Sequence, residues 1–308
     1  MANEFVARNG LKILEVTTGS TSDQLLVYNT STGVIESKTD VVVEPFPYSG
    51  DAQIIGSLSV TADTGNVEFS YPVVEGSWST GGSLITSRMC LGGAGIQNAA
   101  LAIGGSLGAP TFTRFTCTEE YNGSSWTAGG GLITCRGQLA GAGTQNAALA
   151  IGGVTTVFST CTEEYDGSSW TAGGALITAR GRLAGVGTQN AGLAVGGFSN
   201  AYLSCTEEYN GTSWSAGGAL STTRGHVAGA GTQNAGLVAG GYVSGNVSCA
   251  EEYNGTSWSA GGALITARRD FAGAGTQNVG LVAGGYSNAI VSCTEEYNKP
   301  LIIVDCIL

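Results

Sequence analysis

RGRLAGVGTQNAGLAVGGFSNAYLSCTEEYNGTSW, residues 180–214, is the stretch that decides the fold, because it returns along the chain. Its Gln-Asn dipeptide ends at Asn98, Asn146, Asn190, Asn234 and Asn278, at intervals of 48 and then 44 residues. Its Glu-Glu-Tyr triplet ends at Tyr121, Tyr165, Tyr209, Tyr253 and Tyr297. A repeat of roughly this length is typical of a propeller, a solenoid or an array of small units.

Each copy of the repeat contains four predicted strands, which we call strands a to d. In residues 180–214, strand a runs through LAGVGTQN, strand b through AGLAVGG and strand c through LSCTEEY, and strand d begins at Trp214. The Asn-Gly dipeptide between strands c and d favours a tight type I′ hairpin, whose two central residues both need a positive φ. Asn122, Asp166 and Asn254 stand before a glycine at the same place in other copies. The sequence therefore predicts an all-β chain of antiparallel strands.

The paired glycine after an apolar strand, followed by a Tyr and a Trp, resembles the kelch motif of β-propellers. In the first copy these residues are Gly104, Gly105, Tyr121 and Trp126. The resemblance covers about 220 residues and implies four-stranded blades around an axis. Strands a and b are richer in Ala and Gly than kelch strands usually are, which predicts tight packing around a narrow axis.

The number of Trp residues bears on how the ring closes. Strand c of the last copy has no Trp after it, whereas a fifth Trp, Trp78, precedes the first strand a. We predict a five-bladed kelch-like propeller in which this N-terminal strand supplies the outer strand of the last blade, because closure removes an unpaired end. The alternative is a linear stack of repeats with Trp78 at one end.

Composition excludes several classes of partner. The net charge of −11 argues against binding to nucleic acid or to an anionic membrane surface, since both need basic patches. No apolar stretch reaches the length of a membrane span, and MANEFVARNG does not resemble a secretion signal. Of the eight cysteines, five occupy one repeat position, where neighbours are too far apart for the ~5.5 Å Cα separation of a disulfide. We expect buried thiols and synthesis in a reducing cytoplasm, with a disulfide framework as the alternative.

Residues 1–72 do not share the repeat, and short alternating runs such as QLLVYNT and GVIES predict a small β-rich region. MANEFVARNGL, LLVYNTSTG and FPYSGDAQIIGSLSVTAD resemble segments of fibre and other virion structural proteins of marine tailed bacteriophages. The resemblance covers the first quarter of the chain. It implies that residues 1–72 attach to tail or capsid proteins and form a homo-oligomer, for which a trimer is the expected state. Residues 73–298 form the predicted propeller, and residues 299–308 an apolar tail strand that docks on the N-terminal region or on a partner subunit.

The sequence contains no recognisable catalytic set, and we predict neither an enzyme nor a cofactor or metal site. His226 is its one histidine, which rules out a site built from several histidines. The Glu-Glu pairs recur in all five copies, whereas catalysis needs a unique constellation. We therefore expect these carboxylates, and the repeated Tyr and Trp rings, to be structural.

Positions that differ between the nearly identical copies are the candidates for function. One set stands two residues after each repeated Arg: Cys90, Gln138, Arg182, His226 and Asp270. A second set lies in the b–c connections: Arg114, Phe158, Tyr202, Tyr242 and Tyr286. In an up-and-down blade the d–a and b–c connections emerge at one end, which we call the variable face, and the conserved-looking a–b and c–d turns form the constant face. Recognition by loops on a rigid scaffold explains this pattern, and so does unconstrained drift of duplicated repeats.

The repeated arginines before strand a have two possible roles. They are Arg88, Arg136, Arg180, Arg224 and Arg268. They either join blades through the carboxylates of strand c, or ring the mouth of the central channel, where kelch-like propellers bind acidic groups of partners.

The resemblance of residues 1–72, together with the predicted propeller, implies a phage virion fibre protein made in the host cytoplasm and located in the virion. Its N-terminal region anchors it to the particle, and its propeller displays a surface that recognises a host cell-surface glycan or protein. One alternative is a capsid-mounted fibre or decoration protein with a purely structural role. The other is a polysaccharide-degrading enzyme, which needs several carboxylates on the variable face, where Asp270 alone is available among the variable positions.

Overall fold

The computed structural model describes residues 25–29, 34–38 and 80–299, and the chain divides into two compact units, Met1–Trp78 and Ser79–Leu308. In the first unit β1 (Leu25–Asn29) and β2 (Val34–Lys38) pair antiparallel, which confirms the strands predicted in QLLVYNT and GVIES. The remainder of residues 1–72, the predicted closing strand around Trp78 and the tail from residue 300 lie outside the described residues.

The second unit is all-β and forms a five-bladed β-propeller, as predicted from the repeat. Each blade is an antiparallel sheet whose strands follow one another in chain order. Blade 1 contains β3 (Gly92–Ile96), β4 (Ala99–Ile103), β5 (Thr118–Tyr121) and β6 (Trp126–Ala128). Blade 2 contains β7 (Ala140–Thr144), β8 (Ala147–Ile151), β9 (Thr162–Tyr165) and β10 (Trp170–Ala172). Blade 3 contains β11 (Ala184–Thr188), β12 (Ala191–Val195), β13 (Thr206–Tyr209) and β14 (Trp214–Ala216).

Blade 4 contains β15 (Ala228–Thr232), β16 (Ala235–Ala239), β17 (Ala250–Tyr253) and β18 (Trp258–Gly261). Among the described residues blade 5 has three strands, β19 (Ala272–Gly275), β20 (Val279–Ala283) and β21 (Thr294–Asn298). The described residues contain no helix, and so none that could cross a membrane.

The innermost strands pack closely because they are built from Gly and Ala. A Cβ atom on Gly141 of blade 2 would lie 2.3 Å from the carbonyl oxygen of Gly93 in blade 1, a separation that no real side chain tolerates. Gly185 of blade 3 stands in the same relation to Gly141, with 2.9 Å between such a Cβ and the carbonyl oxygen. The narrow axis predicted from the composition of strands a and b follows from these contacts.

The c–d hairpins form as predicted, but the predicted turn type is wrong. Tyr209 pairs with Trp214, so four residues rather than two form the loop. Gly211 has a φ of +86°, whereas Asn210 is not among the residues with positive φ. The side-chain oxygen of Asn210 accepts the backbone N–H groups of Thr212 and Ser213, at 3.0 and 2.9 Å. This Asx turn replaces the left-handed conformation that a type I′ turn would require of Asn210.

Neighbouring blades are joined by one set of hydrogen bonds that recurs from interface to interface. The hydroxyl of Tyr165 in blade 2 donates to Glu120 of blade 1 at 2.5 Å, and Tyr209, Tyr253 and Tyr297 do the same to Glu164, Glu208 and Glu252. The amide of Gln145 donates to the carbonyl oxygens of Ala100 and Tyr121 across the same interface. Apolar clusters such as Leu101, Ile103, Ala148 and Trp170 fill the space between the sheets.

The interface between blades 5 and 1 carries the same groups, but within residues 80–299 they are not bonded to one another. Glu296 of blade 5 is exposed, and so is Gln97 of blade 1. The hydroxyl of Tyr121 accepts a 3.4 Å hydrogen bond from the N–H of Gly82. The predicted closure by an N-terminal outer strand depends on residues outside the described part of the chain and stays a prediction.

The tyrosine–glutamate bonds predict a specific loss of stability at alkaline pH. Burial and the hydrogen bond to Glu120 raise the pKa of Tyr165 to about 12, and the same two causes raise the pKa values of Tyr209 and Tyr253. A raised pKa stabilises the fold fully below the unfolded value of about 10, and this contribution disappears as the pH rises through the folded value. The free energy of unfolding should therefore fall between pH 10 and about 12.

The comparison of Tyr165→Phe with the wild type isolates this effect. Denaturant unfolding at several pH values should show a shallower decline for Tyr165→Phe than for the wild type in this pH window. Tyr202→Phe is the matched control, because Tyr202 is not one of the tyrosines that bond to a glutamate. Identical slopes for the wild type and Tyr165→Phe would contradict the assignment.

Candidate functional site

The five repeated arginines are buried inside the blades and do not line the mouth of the channel. Their side chains have 0% exposure, and each pairs with the first glutamate of strand c in its own blade. Nη1 of Arg136 lies 3.0 Å from Glu163, and Nη1 of Arg180 lies 3.2 Å from Glu207. The remaining pairs are Arg88–Glu119, Arg224–Glu251 and Arg268–Glu295.

The same glutamates fix the d–a linker onto its blade. The carboxylate of Glu163 accepts the backbone N–H groups of Ile133 and Thr134, at 2.7 and 3.3 Å. The contact with the preceding blade is made by the backbone, because the carbonyl oxygen of Arg136 accepts the N–H of Gly105 at 3.0 Å. The arginine side chains thus organise single blades, and the backbone beside them joins one blade to the next.

Two residues after each buried arginine, the backbone turns into the left-handed region. Cys90, Gln138, Arg182, His226 and Asp270 all have φ between +55° and +58°. Their backbones are linked in a chain around the axis, because each N–H after that of Cys90 donates to the carbonyl oxygen of its counterpart one blade earlier. The four bonds measure 2.7 Å to Cys90, 2.9 Å to Gln138, 2.8 Å to Arg182 and 3.3 Å to His226. We call these five residues the axial ring.

The residues of the axial ring adopt a backbone conformation that is unfavourable for residues with a side chain. A left-handed φ costs a residue with a side chain roughly 1–2 kcal/mol, whereas glycine adopts it freely. None of the five positions is glycine, although glycine is abundant elsewhere in the repeat. Strain that is retained at one place in every blade is a reason to look for a function there.

The side chains of the axial ring contact one another. Nε of Arg182 donates to the side-chain oxygen of Gln138 at 3.1 Å, and Nδ1 of His226 is hydrogen-bonded to the carboxylate of Asp270. Partial burial raises the pKa of Asp270, but the bond to His226 and the positive charges of His226, Arg269 and Arg182 outweigh burial and hold the pKa below its usual range. Burial and the charge of Asp270 raise the pKa of the Cys90 thiol.

Aromatic side chains of the b–c connections lie beside the axial ring, and four of them contact one another directly. We call Phe158, Phe198, Tyr202, Tyr242 and Tyr286 the aromatic arc. Successive ring centroids from Phe158 to Phe198, Tyr202 and Tyr242 lie 5.6, 4.9 and 5.6 Å apart. The arc reaches the axial ring through Tyr202, whose centroid is 6.5 Å from that of His226.

Arginines are stacked on this arc. The guanidinium of Arg269 lies 4.5 Å from the ring centroid of Tyr242 and 4.8 Å from that of Tyr286, so it is held between the two tyrosines. Its Nε is 3.4 Å from Asp270. Arg182 lies 5.5 Å from the centroid of Phe198. Such cation–π contacts orient the guanidinium groups without neutralising them.

The structure thus brings together most of the residues that the sequence comparison singled out, and adds two. Arg114 forms a backbone bridge with Ser106 in blade 1 that corresponds to the Phe158–Val154 bridge in blade 2. No aromatic ring of the described residues stacks on Arg114. Phe198 and Arg269 were not predicted as site residues. Phe198 occupies the loop position of Tyr242 and Tyr286, and Arg269 replaces a Met or Gly of the other copies, so the repeat comparison contained both signals.

The two faces differ in chemistry. Of the twelve exposed large apolar side chains in the described residues, ten lie in the d–a and b–c connections, and Ile96 and Val279 lie beside the a–b turns. Three arginines of residues 80–299 lie outside the five buried pairs, Arg114, Arg182 and Arg269, and all three belong to the variable face. Asp270 is the single carboxylate in the d–a and b–c connections of residues 80–299. The variable face is therefore apolar, aromatic and positively charged in a chain of net charge −11.

Metal binding was not predicted, and the geometry supplies no candidate for it among residues 80–299. The described residues contain no group of three or more His, Cys, Asp or Glu side chains that could hold an ion. That the protein uses no cofactor and no metal stays a prediction.

Comparison with known proteins supports the fold but does not assign the chain to a family. No protein-family model matches the chain, and no curated protein matches it. Among the solved structures, the chain is similar to one titled "Structure of YjhT", with a TM-score of 0.57 and 14% sequence identity. The similarity covers 67% of this chain and 80% of that one. At this identity the match supports the propeller fold alone.

Two arginines that stand two residues apart test the division between scaffold and variable face. Arg180→Met leaves Glu207 buried without its partner, and we expect it to lower the free energy of unfolding by about 3–5 kcal/mol. Arg182→Met is the matched control and should change stability by about 0.5 kcal/mol or less, because Arg182 is partly exposed. Chemical denaturation measures both. Equal losses in the two variants would contradict the assignment.

Proposed function

We propose that this protein is a virion fibre component of a tailed bacteriophage, and that its variable face recognises the surface of the host cell. The observation that carries the proposal is the axial ring. Its five positions combine an unfavourable backbone conformation with five different side chains. Drift under selection for stability alone would favour glycine there, since glycine removes the strain.

The composition of the variable face supports a binding role. Tyr and Arg are the residues that most often dominate the energetics of protein interfaces, because both combine a flat apolar surface with polar groups. Tyr202, Tyr242 and Tyr286 are partly exposed beside Arg182 and Arg269. Apolar side chains such as Val157 and Ile290 surround them with exposed fractions of 67% and 88%. Monomeric proteins rarely expose such surfaces without a partner.

The scaffold explains how such a face can diversify. Each axial-ring residue follows a linker that a buried arginine–glutamate pair fixes to its blade. The side chain at this position can therefore change without disturbing the packing of the blade. Host recognition would use many copies per particle, and weak contacts would then add up to firm attachment. The ligand in this proposal is a cell-surface glycan or protein.

The N-terminal region is the proposed anchor. The support for this part is the resemblance of residues 1–11 and 46–63 to virion proteins, together with the β-hairpin of β1 and β2. Residues 1–72 would assemble as a homo-oligomer on tail or capsid proteins and hold the propeller outward. The alternative of a decoration protein with a structural role gives no reason for the strained side chains of the axial ring.

The geometry does not favour catalysis. Asp270 and His226 form a carboxylate–imidazole pair, which in hydrolases activates a nucleophile. The nearest nucleophile in the axial ring is the Cys90 thiol, and burial together with the Asp270 charge raises its pKa and keeps it protonated. A second carboxylate for glycoside cleavage is missing from the described connections of this face.

A glycine version of the axial ring separates binding from folding. The variant carries Cys90→Gly, Gln138→Gly, Arg182→Gly, His226→Gly and Asp270→Gly. Because glycine suits a φ of +55° to +58°, we expect the propeller to remain folded by circular dichroism and thermal unfolding. Because the variant lacks the five side chains proposed to contact the host, adsorption of particles that carry it should fall about tenfold or more. A tenfold fall corresponds to a loss of about 1.4 kcal/mol in binding free energy.

The control changes the opposite face. Thr212→Ala and Thr256→Ala remove exposed side chains from the c–d turns of the constant face and should leave adsorption unchanged. Normal adsorption by a folded, particle-incorporated glycine variant would rule out recognition by the axial ring. Failure to find the protein in purified particles by mass spectrometry would rule out the virion assignment itself.

A further inference from the structure

Two arginines of the variable face have guanidinium groups whose ends are available to a ligand. Arg269 is held between the rings of Tyr242 and Tyr286, and Nε of Arg182 donates to Gln138 at 3.1 Å. Within the described part of the chain, the Nη atoms of these two arginines make no hydrogen bond. Both residues are partly exposed, so a ligand can reach these N–H groups.

The scaffold gives no reason for these two charges. Arg180 and Arg268, close by in the sequence, are fully buried, and each pairs with a glutamate of strand c. At the position of Arg182 the other copies carry Cys, Gln, His or Asp, and at the position of Arg269 they carry Met or Gly. Because four blades form without an arginine at either position, the fold does not require one in the remaining blade.

The two arginines act on the same space beside the axis. Burial alone would raise the pKa of Asp270, but His226 and the charges of both arginines hold it below its usual range. Coulomb energies fall off with distance, so both guanidinium groups lie near this carboxylate. Apart from the buried pairs, the d–a and b–c connections of the described residues contain three arginines and one carboxylate. The positive charge of this face is therefore concentrated beside the axial ring.

The groups around these arginines match a sugar that carries an acid. A guanidinium group binds a carboxylate or a phosphate through two parallel N–H donors. The tyrosine hydroxyls that are hydrogen-bonded in the described residues all belong to strand c, and Tyr202, Tyr242 and Tyr286 are not among them. A phenol hydroxyl both donates and accepts, as the hydroxyls of a sugar do. An acidic peptide supplies the carboxylates but few such hydroxyls.

We propose that Arg182 and Arg269 bind a carboxylate or phosphate group of an acidic cell-surface glycan. Tyr202, Tyr242 and Tyr286 contact the sugar that carries this group. The inference rests on the proposed function, because it names the class of ligand for the same face. A chain of net charge −11 repels polyanions in general, so binding depends on this local cluster. Removing a positive charge elsewhere on the variable face should therefore matter little.

Binding of the full-length protein to polymers of defined chemistry tests the site. Polygalacturonate carries carboxylates on sugars, phosphomannan carries phosphates on sugars, neutral mannan has no charge, and polyglutamate has carboxylates without hydroxyls. Dissociation constants are measured by biolayer interferometry at physiological ionic strength, where long-range attraction is screened. One of the two acidic glycans should bind at least about tenfold more tightly than mannan and polyglutamate, and its identity shows whether the anion is a carboxylate or a phosphate. Equal binding to mannan or polyglutamate, or no binding to either acidic glycan, would overturn the proposal.

Arginine variants show whether the cluster carries this binding. Arg182→Gln and Arg269→Gln should each weaken binding of the preferred glycan about tenfold or more, because each removes donors that the anion uses. Arg114→Gln is the matched control, since it removes the same charge from the same face, and should weaken binding less than about threefold. Arg269→Lys keeps the charge but loses the planar group between the tyrosines, and should also weaken binding. Equal losses in Arg114→Gln and in the other two glutamine variants would contradict the site.

Particle adsorption separates the failure of this inference from the failure of the proposed function. If the glycine version of the axial ring adsorbs poorly while no glycan binding depends on Arg182 or Arg269, this inference is wrong and host recognition stands. If glycan binding depends on both arginines while particles carrying Arg182→Gln and Arg269→Gln adsorb normally, the site stands and host recognition by it is wrong.

Discussion

A buried arginine–glutamate pair in each blade is the interaction on which the rest of the propeller depends. Removing two charges from water is costly, and the attraction between them offsets that cost when further hydrogen bonds are made. Glu207 accepts two linker N–H groups and lies 3.2 Å from the guanidinium of Arg180, so the pair fixes the path of the chain from one blade to the next. The left-handed turn at Arg182 follows directly from that fixed path, and its side chain stands on the variable face.

Repetition makes the exceptions informative. The bonds that join blades, such as Tyr209 to Glu164 and Trp214 to Thr162, recur because each interface poses the same packing problem. A position at which the copies differ is therefore either not needed for the packing between blades or serves another role. The axial ring serves another role, since its five residues share one backbone conformation but have five different side chains.

Much of the fold could be predicted from the sequence, because strand number, blade number and the two faces follow from spacing alone. The roles of the arginines could not, since burial depends on how the linker folds back over strand c. The left-handed φ at Gln138 and Arg182 was equally hidden, because neither residue favours it. The type I′ turn predicted at Asn210 was wrong because its side chain caps the loop, a choice that the Asn-Gly dipeptide does not reveal. The stacking of Arg269 between two tyrosines depends on contacts between separate blades.

The central claim is that a constant scaffold carries a recognition face that points away from the particle. A three-dimensional reconstruction of the intact particle, with the propeller fitted into its density, tests this claim most directly. The account predicts that the axial ring and the aromatic arc face solvent, with the c–d turns toward the particle. A propeller whose variable face is packed against other virion proteins would contradict it.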